Sequence, residues 1–89
     1  MKLLYAKKFY KDLDAIQYDK VIRKRLLELI EKLKQANSLA DLKDIKKIEG
    51  YHNYYRIKLG DYRLGLKLSE GLLELIRFLH RKEIYRRFP

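Results

Sequence analysis

With 89 residues and a hydrophobic fraction of 47%, the chain is long enough for one compact core and too short for two, which predicts a single domain over residues 1–89. The formal net charge of +10 predicts an anionic partner, and the lack of both a secretion signal and a membrane-spanning apolar run predicts a cytoplasmic protein without membrane contact. The absence of cysteine excludes disulfides and thiol chemistry, and two histidines argue against a zinc site, so we expect neither metal nor cofactor.

The N-terminal part of the chain is predicted to form a strand and two helices. Residues 2–6 have the pattern of a short strand, and the apolar residues at 9, 13 and 16 have helical spacing. A longer helix is expected after Asp19, whose side chain is placed to cap it. The apolar stripe of that helix is Ile22, Leu26, Leu29, Ile30 and Leu33.

After a polar connector, residues 41–47, the apolar spacing changes to the period of two that is typical of strands. One strand is predicted from residue 54 to 59, a second from 62 to 68 and a third from 72 to 79. Gly60-Asp61 suits a type II′ turn, because glycine at its first central position permits a positive φ. The order β-α-α-β-β-β predicts an α+β fold, with two N-terminal helices packed on one face of a small antiparallel sheet.

The strand period also places four cations on one face of the predicted sheet. Arg56 and Lys58 project from one strand and Arg63 and Lys67 from its hairpin partner, opposite the apolar residues that meet the helices. Like charges across a ladder cost stability, and no carboxylates alternate with these cations. The arrangement therefore indicates a binding surface, with an ordinary exposed sheet face as the alternative.

Arginine is concentrated in the same half of the chain. Residues 51–89 contain six of the eight arginines but only three of the 14 lysines. The planar fork of arginine grips phosphate with paired hydrogen bonds, which favours a nucleic acid as the anionic partner. The closing segment, residues 80–89, is expected to leave the last strand, with Tyr85 either stacking on a base or anchoring the chain end. Phe88 is the better candidate for that anchor.

The stretches YYRIKLGDYRL (residues 54–64) and FLHRKEIY (residues 78–85) resemble the RelE/ParE superfamily of toxins from type II toxin-antitoxin modules, on the RelE side. In length and element order the resemblance covers the whole chain. It implies a RelE-like, microbial ribonuclease-like fold and a toxin that inhibits translation. Such an mRNA interferase cuts messenger RNA in the ribosomal A site, without a metal, by attack of a ribose 2′-hydroxyl on the neighbouring phosphate. The implied partners are a small, acidic, helical antitoxin, mRNA, and the ribosome with its 16S rRNA.

Carried over residue by residue, the resemblance implies catalytic positions at Arg56, Lys58, Arg63, Arg81 and Tyr85. RelE proper has lysine in place of Arg56, and a guanidinium does not give up its proton, so Lys58 is the better candidate for the general base. His80 is the alternative, because imidazole titrates near neutrality and some relatives use a histidine. Arg63 and Arg81 are expected to stabilise the charge that builds on the phosphate. Contacts to the RNA backbone are expected from Lys67, Lys82, Arg86 and Arg87.

Two other functions are compatible with the same fold. A ParE-like toxin would bind DNA gyrase and cleave no RNA. That branch usually lacks the base and tyrosine set, so the presence of His80, Arg81 and Tyr85 favours the nuclease. A catalytically degenerate member would retain only antitoxin binding or DNA binding.

Overall fold

The computed structural model describes residues 1–89 and contains one five-stranded sheet with helices on both faces. In chain order the elements are β1 (Lys2–Tyr5), α1 (Lys7–Ala15), α2 (Lys20–Gln35), a 3-10 turn (Leu39–Asp41), β2 (Ile45–Lys47), β3 (Tyr54–Leu59), β4 (Tyr62–Ser69), β5 (Leu72–His80) and α3 (Arg81–Arg87). The strand order is β1-β5-β4-β3-β2. None of the helices combines the length and the apolar character needed to cross a membrane.

The predicted α+β class is confirmed, with three differences of detail. The sheet is mixed rather than wholly antiparallel, because β1 pairs in parallel with β5. The polar connector contains a further strand, β2, which pairs with β3. The closing segment forms a third helix, α3, where only an extension beyond the last strand was expected.

The two N-terminal helices form where the apolar spacing predicted them. Asp19 caps α2 by accepting a hydrogen bond of 3.1 Å from the Ile22 amide. At the other end of α2, the Met1 amino group donates hydrogen bonds of 2.8 Å to the carbonyls of Lys34 and Ala36, which a helix leaves without partners. These bonds join the start of β1 to the end of α2.

The hydrophobic core lies between these two helices and one face of the sheet. The predicted stripe of α2 is buried except at Leu29, which is half-buried. Burial of whole aliphatic and aromatic side chains is the main favourable contribution to folding, at roughly 1.5–3 kcal/mol for each. The residues at the centre of the core are Phe9, Ile16, Ile22, Leu26, Ile30, Leu33, Ile57, Leu64, Leu66, Leu73, Leu75 and Phe78.

The β3–β4 hairpin has the predicted register and turn. Leu59 pairs with Tyr62, which leaves Gly60 and Asp61 as the two turn residues, and Gly60 has a φ of 60°. The next hairpin turns at Glu70 and Gly71, both with positive φ, as a type I′ turn requires. Turn chemistry close in sequence therefore fixes how the three long strands pair.

Helices α1 and α2 pack on one face of the sheet, as predicted, and helix α3 packs on the opposite face. Ile84 and Phe88 are the buried residues of this segment. The Phe88 ring lies directly over Gly65, close enough that an added β-carbon at Gly65 would be 2.7 Å from it. A glycine in the middle of β4 therefore leaves the space that the aromatic anchor of α3 fills.

Substitution of Gly65 by alanine should destabilise the fold by about 1–3 kcal/mol, because the new methyl group overlaps the Phe88 ring. The energetic cost of this clash must exceed the stabilisation of roughly 0.5–1 kcal/mol that alanine otherwise brings to a strand relative to glycine. Urea unfolding measures the change. In a Phe88→Ala background the same substitution should be neutral or stabilising, and an equal loss in both backgrounds would contradict the contact.

A buried ion pair joins α1 to β5. Asp12 accepts hydrogen bonds of 2.8 and 2.9 Å from Nε and Nη2 of Arg77, and a third of 2.9 Å from the Phe78 amide. The side-chain hydrogen bonds to Asp12, together with its negative charge, raise the pKa of Arg77 above its ordinary value, against the lowering effect of burial. Phe78 lies beyond the last residue of β5 that pairs with β1, Leu75. Asp12 therefore accepts a hydrogen bond from the Phe78 amide, in the part of β5 that has no pairing with β1.

Candidate nucleic-acid interface

The sheet face beneath α3 carries the four cations that the strand period predicted. Lys58 pairs with Arg63 across the β3–β4 ladder, Arg56 pairs with Gly65, and Tyr54 pairs with Lys67. Residues directly opposite each other in a ladder project from the same face, so all four cations share it. We call this surface, formed by Arg56, Lys58, Arg63 and Lys67, the basic face.

Two arginines are held at the hairpin end of the basic face. Nη1 of Arg63 donates hydrogen bonds of 2.8 and 2.9 Å to the carbonyls of Gly60 and Tyr62. The backbone amide of Arg81 donates a hydrogen bond of 2.7 Å to the Asp61 carbonyl. The Nε of the Arg81 side chain lies 3.9 Å from an Asp61 carboxylate oxygen. The Gly60-Asp61 turn thus holds the Arg63 guanidinium, at the strand position opposite Lys58, and the backbone of Arg81. Fixed cations of this kind can stabilise charge on a phosphate without further reorganisation.

Tyr85 lies next to Arg56 and is not part of the core. The Arg56 guanidinium carbon is 4.6 Å from the centre of the Tyr85 ring, and Tyr85 is 60% exposed. Arg81 and Tyr85 are four residues apart on α3 and therefore share one side of that helix. The anchor of the chain end is Phe88, which is 5% exposed and packs edge-on against Tyr54 at 5.7 Å.

His80 occupies a different position from the other predicted site residues. It pairs with Tyr62, which projects toward the core, so the fold does not bring His80 onto the basic face. Its ring packs edge-on against Tyr62 at 5.7 Å, and its Nδ1 accepts a hydrogen bond of 3.1 Å from the Lys82 amide. In this arrangement the His80 side chain caps α3 through its Nδ1 atom.

The remaining predicted cations lie around this centre. The Lys67 ammonium is 5.4 Å from the centre of the Tyr54 ring. Arg86 and Arg87 both approach the Glu83 carboxylate, at 2.9 and 3.7 Å, which offsets part of their charge. Lys82 is exposed and makes no ion pair. These four residues can contribute to a wider electrostatic surface, and only Lys67 belongs to the basic face itself.

Two cations near the site were missed by sequence reasoning. Lys46 on β2 pairs with Arg56 and so extends the basic face by one strand. Arg25 on α2 reaches the hairpin turn, where its Nη1 would lie 2.8 Å from an added β-carbon at Gly60. A three-residue strand and a contact between distant segments leave no periodic signal in the sequence. A cavity of about 590 Å³ between α2 and β3 is lined by Arg25 and Lys58.

No group of three or more histidine, aspartate or glutamate side chains is close enough together to hold a metal ion. The basic face and the adjacent Tyr85 provide side chains that can bind phosphate groups, stabilise developing negative charge, and transfer a proton at Lys58 or Tyr85.

The chain is similar in sequence to toxins of type II toxin-antitoxin systems. The family model described as ParE toxin of the type II toxin-antitoxin system parDE matches residues 3–85. The protein named Toxin RelE3 from Methanocaldococcus jannaschii is 52% identical over 90 residues, which cover 100% of both chains.

Solved structures show the same likeness. The RelB-RelE antitoxin-toxin complex from Methanococcus jannaschii contains a chain 49% identical to this one, with a TM-score of 0.81 and coverage of 97% of this chain and 99% of that one. YafQ from E. coli strain BL21(DE3), at 20% identity, shares the fold with a TM-score of 0.77, over 94% and 97% of the two chains. The resemblance predicted from residues 54–64 and 78–85 is thus confirmed, and the chain belongs to the RelE/ParE superfamily of type II toxin-antitoxin toxins.

Proposed function

We propose that this toxin is an endoribonuclease that cuts messenger RNA in the ribosomal A site and so inhibits translation. The observation that carries the proposal is the cluster at the hairpin end of the basic face. There Lys58 lies opposite Arg63, and the Gly60-Asp61 turn holds Arg63 and Arg81. This arrangement supplies a proton acceptor, Lys58, and two cations, Arg63 and Arg81, as cleavage of a phosphodiester by an internal hydroxyl requires.

In the proposed reaction, Lys58 acts as the general base and takes the proton from the ribose 2′-hydroxyl. The 2′-oxygen then attacks the adjacent phosphorus, and the bond from phosphorus to the 5′-oxygen of the next nucleotide breaks. The products are a 2′,3′-cyclic phosphate and a 5′-hydroxyl, and Tyr85 supplies the proton of that hydroxyl. Arg63 and Arg81 stabilise the negative charge on the phosphate oxygens. Arg56 binds the same phosphate or its neighbour while it lies against the Tyr85 ring.

Induction of the protein in growing cells, with protein and DNA synthesis followed separately, tests this function. Rapid loss of protein synthesis with cut messages is the expected result. Signalling of DNA damage with intact messages would instead identify a gyrase-directed toxin, the activity implied for the ParE-like branch. Normal growth would identify a catalytically degenerate member. Induction of an Arg63→Ala variant at the same level is the matched control, because it should fold and should not stop translation.

We also infer that a small antitoxin inactivates this toxin by covering the basic face. The support is the net charge of +10 together with the RelB-RelE complex of a relative that is 49% identical. The partner should supply an apolar helix and several carboxylates, since complementary charge speeds and orients association. Association measured at rising salt concentration should slow steeply, and a rate independent of salt would contradict a charge-guided partner.

A further inference from the structure

A pair of tyrosines at the far end of the basic face has no part in the core or in the proposed chemistry. Tyr51 lies in the loop before β3 and is 51% exposed. Its ring contacts that of Tyr54 edge to face, with centroids 6.1 Å apart. Burial of the Tyr51 ring therefore does not explain its position.

The Tyr54 ring lies on the same side of the sheet as the basic face. Tyr54 precedes Arg56 by two residues on β3 and pairs with Lys67 on β4, so all three side chains project from the same face. Phe88 packs against the Tyr54 ring at 5.7 Å, and the Lys67 ammonium lies 5.4 Å from it. Tyr54 is thus fixed from two sides and provides a rigid support for Tyr51.

Cations and aromatic rings therefore lie side by side along β3 and the loop before it. From the hairpin end the order is Lys58, then Arg56 with Tyr85, then Tyr54 with Lys67, and finally Tyr51. Strands rise about 3.4 Å per residue, so the row from Lys58 to Tyr54 extends roughly 14 Å. That length exceeds one nucleotide of an extended single strand. Aromatic rings interleaved with cations are the usual surface for single-stranded nucleic acid, because bases stack on the rings while phosphates pair with the cations.

We propose that Tyr51, supported by Tyr54, is a stacking site for an unpaired RNA base beside the nucleotides that are cut, with Lys67 binding the phosphate next to that base. This inference rests on the proposed nuclease function and adds a substrate-binding site to it. Stacking tolerates any base, so the site contributes affinity and alignment of the strand rather than sequence choice.

Binding of a fluorescein-labelled 2′-O-methyl oligoadenylate, which has no free 2′-hydroxyl and so cannot be cut, tests the site by fluorescence anisotropy. Tyr51→Ala should weaken binding about five- to tenfold, the loss of one base stack. Tyr51→Phe keeps the ring and should bind as the wild type does. Tyr18→Ala is the matched control, because Tyr18 is 90% exposed and lies in the connector between α1 and α2.

Oligonucleotides with a single abasic position locate the stacked base. At one position, removal of the base should weaken binding by the wild type and leave the affinity of Tyr51→Ala unchanged. This is the result expected when the abasic position and the Tyr51→Ala substitution remove the same contact. If the wild type binds the oligonucleotide and cuts messages on ribosomes, and Tyr51→Ala binds the oligonucleotide as tightly as Tyr18→Ala does, the stacking site is wrong. The nuclease function would stand in that case. If the wild type neither binds the oligonucleotide nor cuts messages, both proposals are wrong.

Discussion

Substitution of Lys58 by alanine is expected to reduce RNA cleavage by about 10²–10⁴-fold, the usual contribution of a positioned general base. Lys58 is exposed and lies opposite Arg63, so its removal should leave the fold intact and relieve a like-charge pair. Cleavage of a defined message on purified ribosomes measures the rate, and growth after induction gives an independent readout.

Three further variants separate proton transfer from charge. Lys58→Arg keeps the positive charge but cannot accept a proton, so it should be about as inactive as Lys58→Ala. Lys46→Ala removes a neighbouring lysine of the basic face and should cost no more than about tenfold, the loss of one exposed phosphate contact. His80→Asn keeps a side chain that caps helices well and should retain most activity. Near-full activity of Lys58→Ala would place the base elsewhere, with His80 the first candidate.

Substitution of Asp12 by alanine should destabilise the fold by about 3–5 kcal/mol, the largest stability effect that we expect in this protein. Asp12 and Arg77 are 7% and 6% exposed, so the substitution would leave a buried guanidinium without a counter-charge. It would also remove the acceptor for the Phe78 amide at the edge of β5. For a protein of this size, such a loss is a large part of the total free energy of unfolding.

Urea unfolding followed by circular dichroism measures the effect of Asp12→Ala. Asp14→Ala is the matched control, because Asp14 is an exposed carboxylate on the same helix and makes no ion pair; its effect should stay within about 0.5 kcal/mol. The double variant Asp12→Leu with Arg77→Met removes both charges and should recover much of the loss. Equal unfolding midpoints for Asp12→Ala and Asp14→Ala would show that the ion pair contributes little.

Much of the site was predictable because it depends on interactions close in sequence. The period of two over residues 54–59 and 62–68, with a glycine suited to the turn between them, is enough to bring Arg56, Lys58 and Arg63 onto one face. The position of Tyr85 was not predictable in this way. A helix as short as α3 is unstable alone, and it forms because Ile84 and Phe88 pack on the sheet above Gly65.

Sequence alone is enough to predict the two N-terminal helices, the β3–β4 hairpin and the charge of its outer face, since periodicity, capping and turn chemistry act between near neighbours. Tertiary packing sets the partners of Asp12, the strand β2 that carries Lys46, and the side on which His80 lies. A register shift between Gly65 and Leu66 places one extra residue of β5 opposite β4. An added residue reverses the alternation of side chains beyond it, so Phe78 enters the core and His80 follows on the same side. That register shift depends on packing between strands, so it cannot be predicted from the apolar pattern of β5 alone.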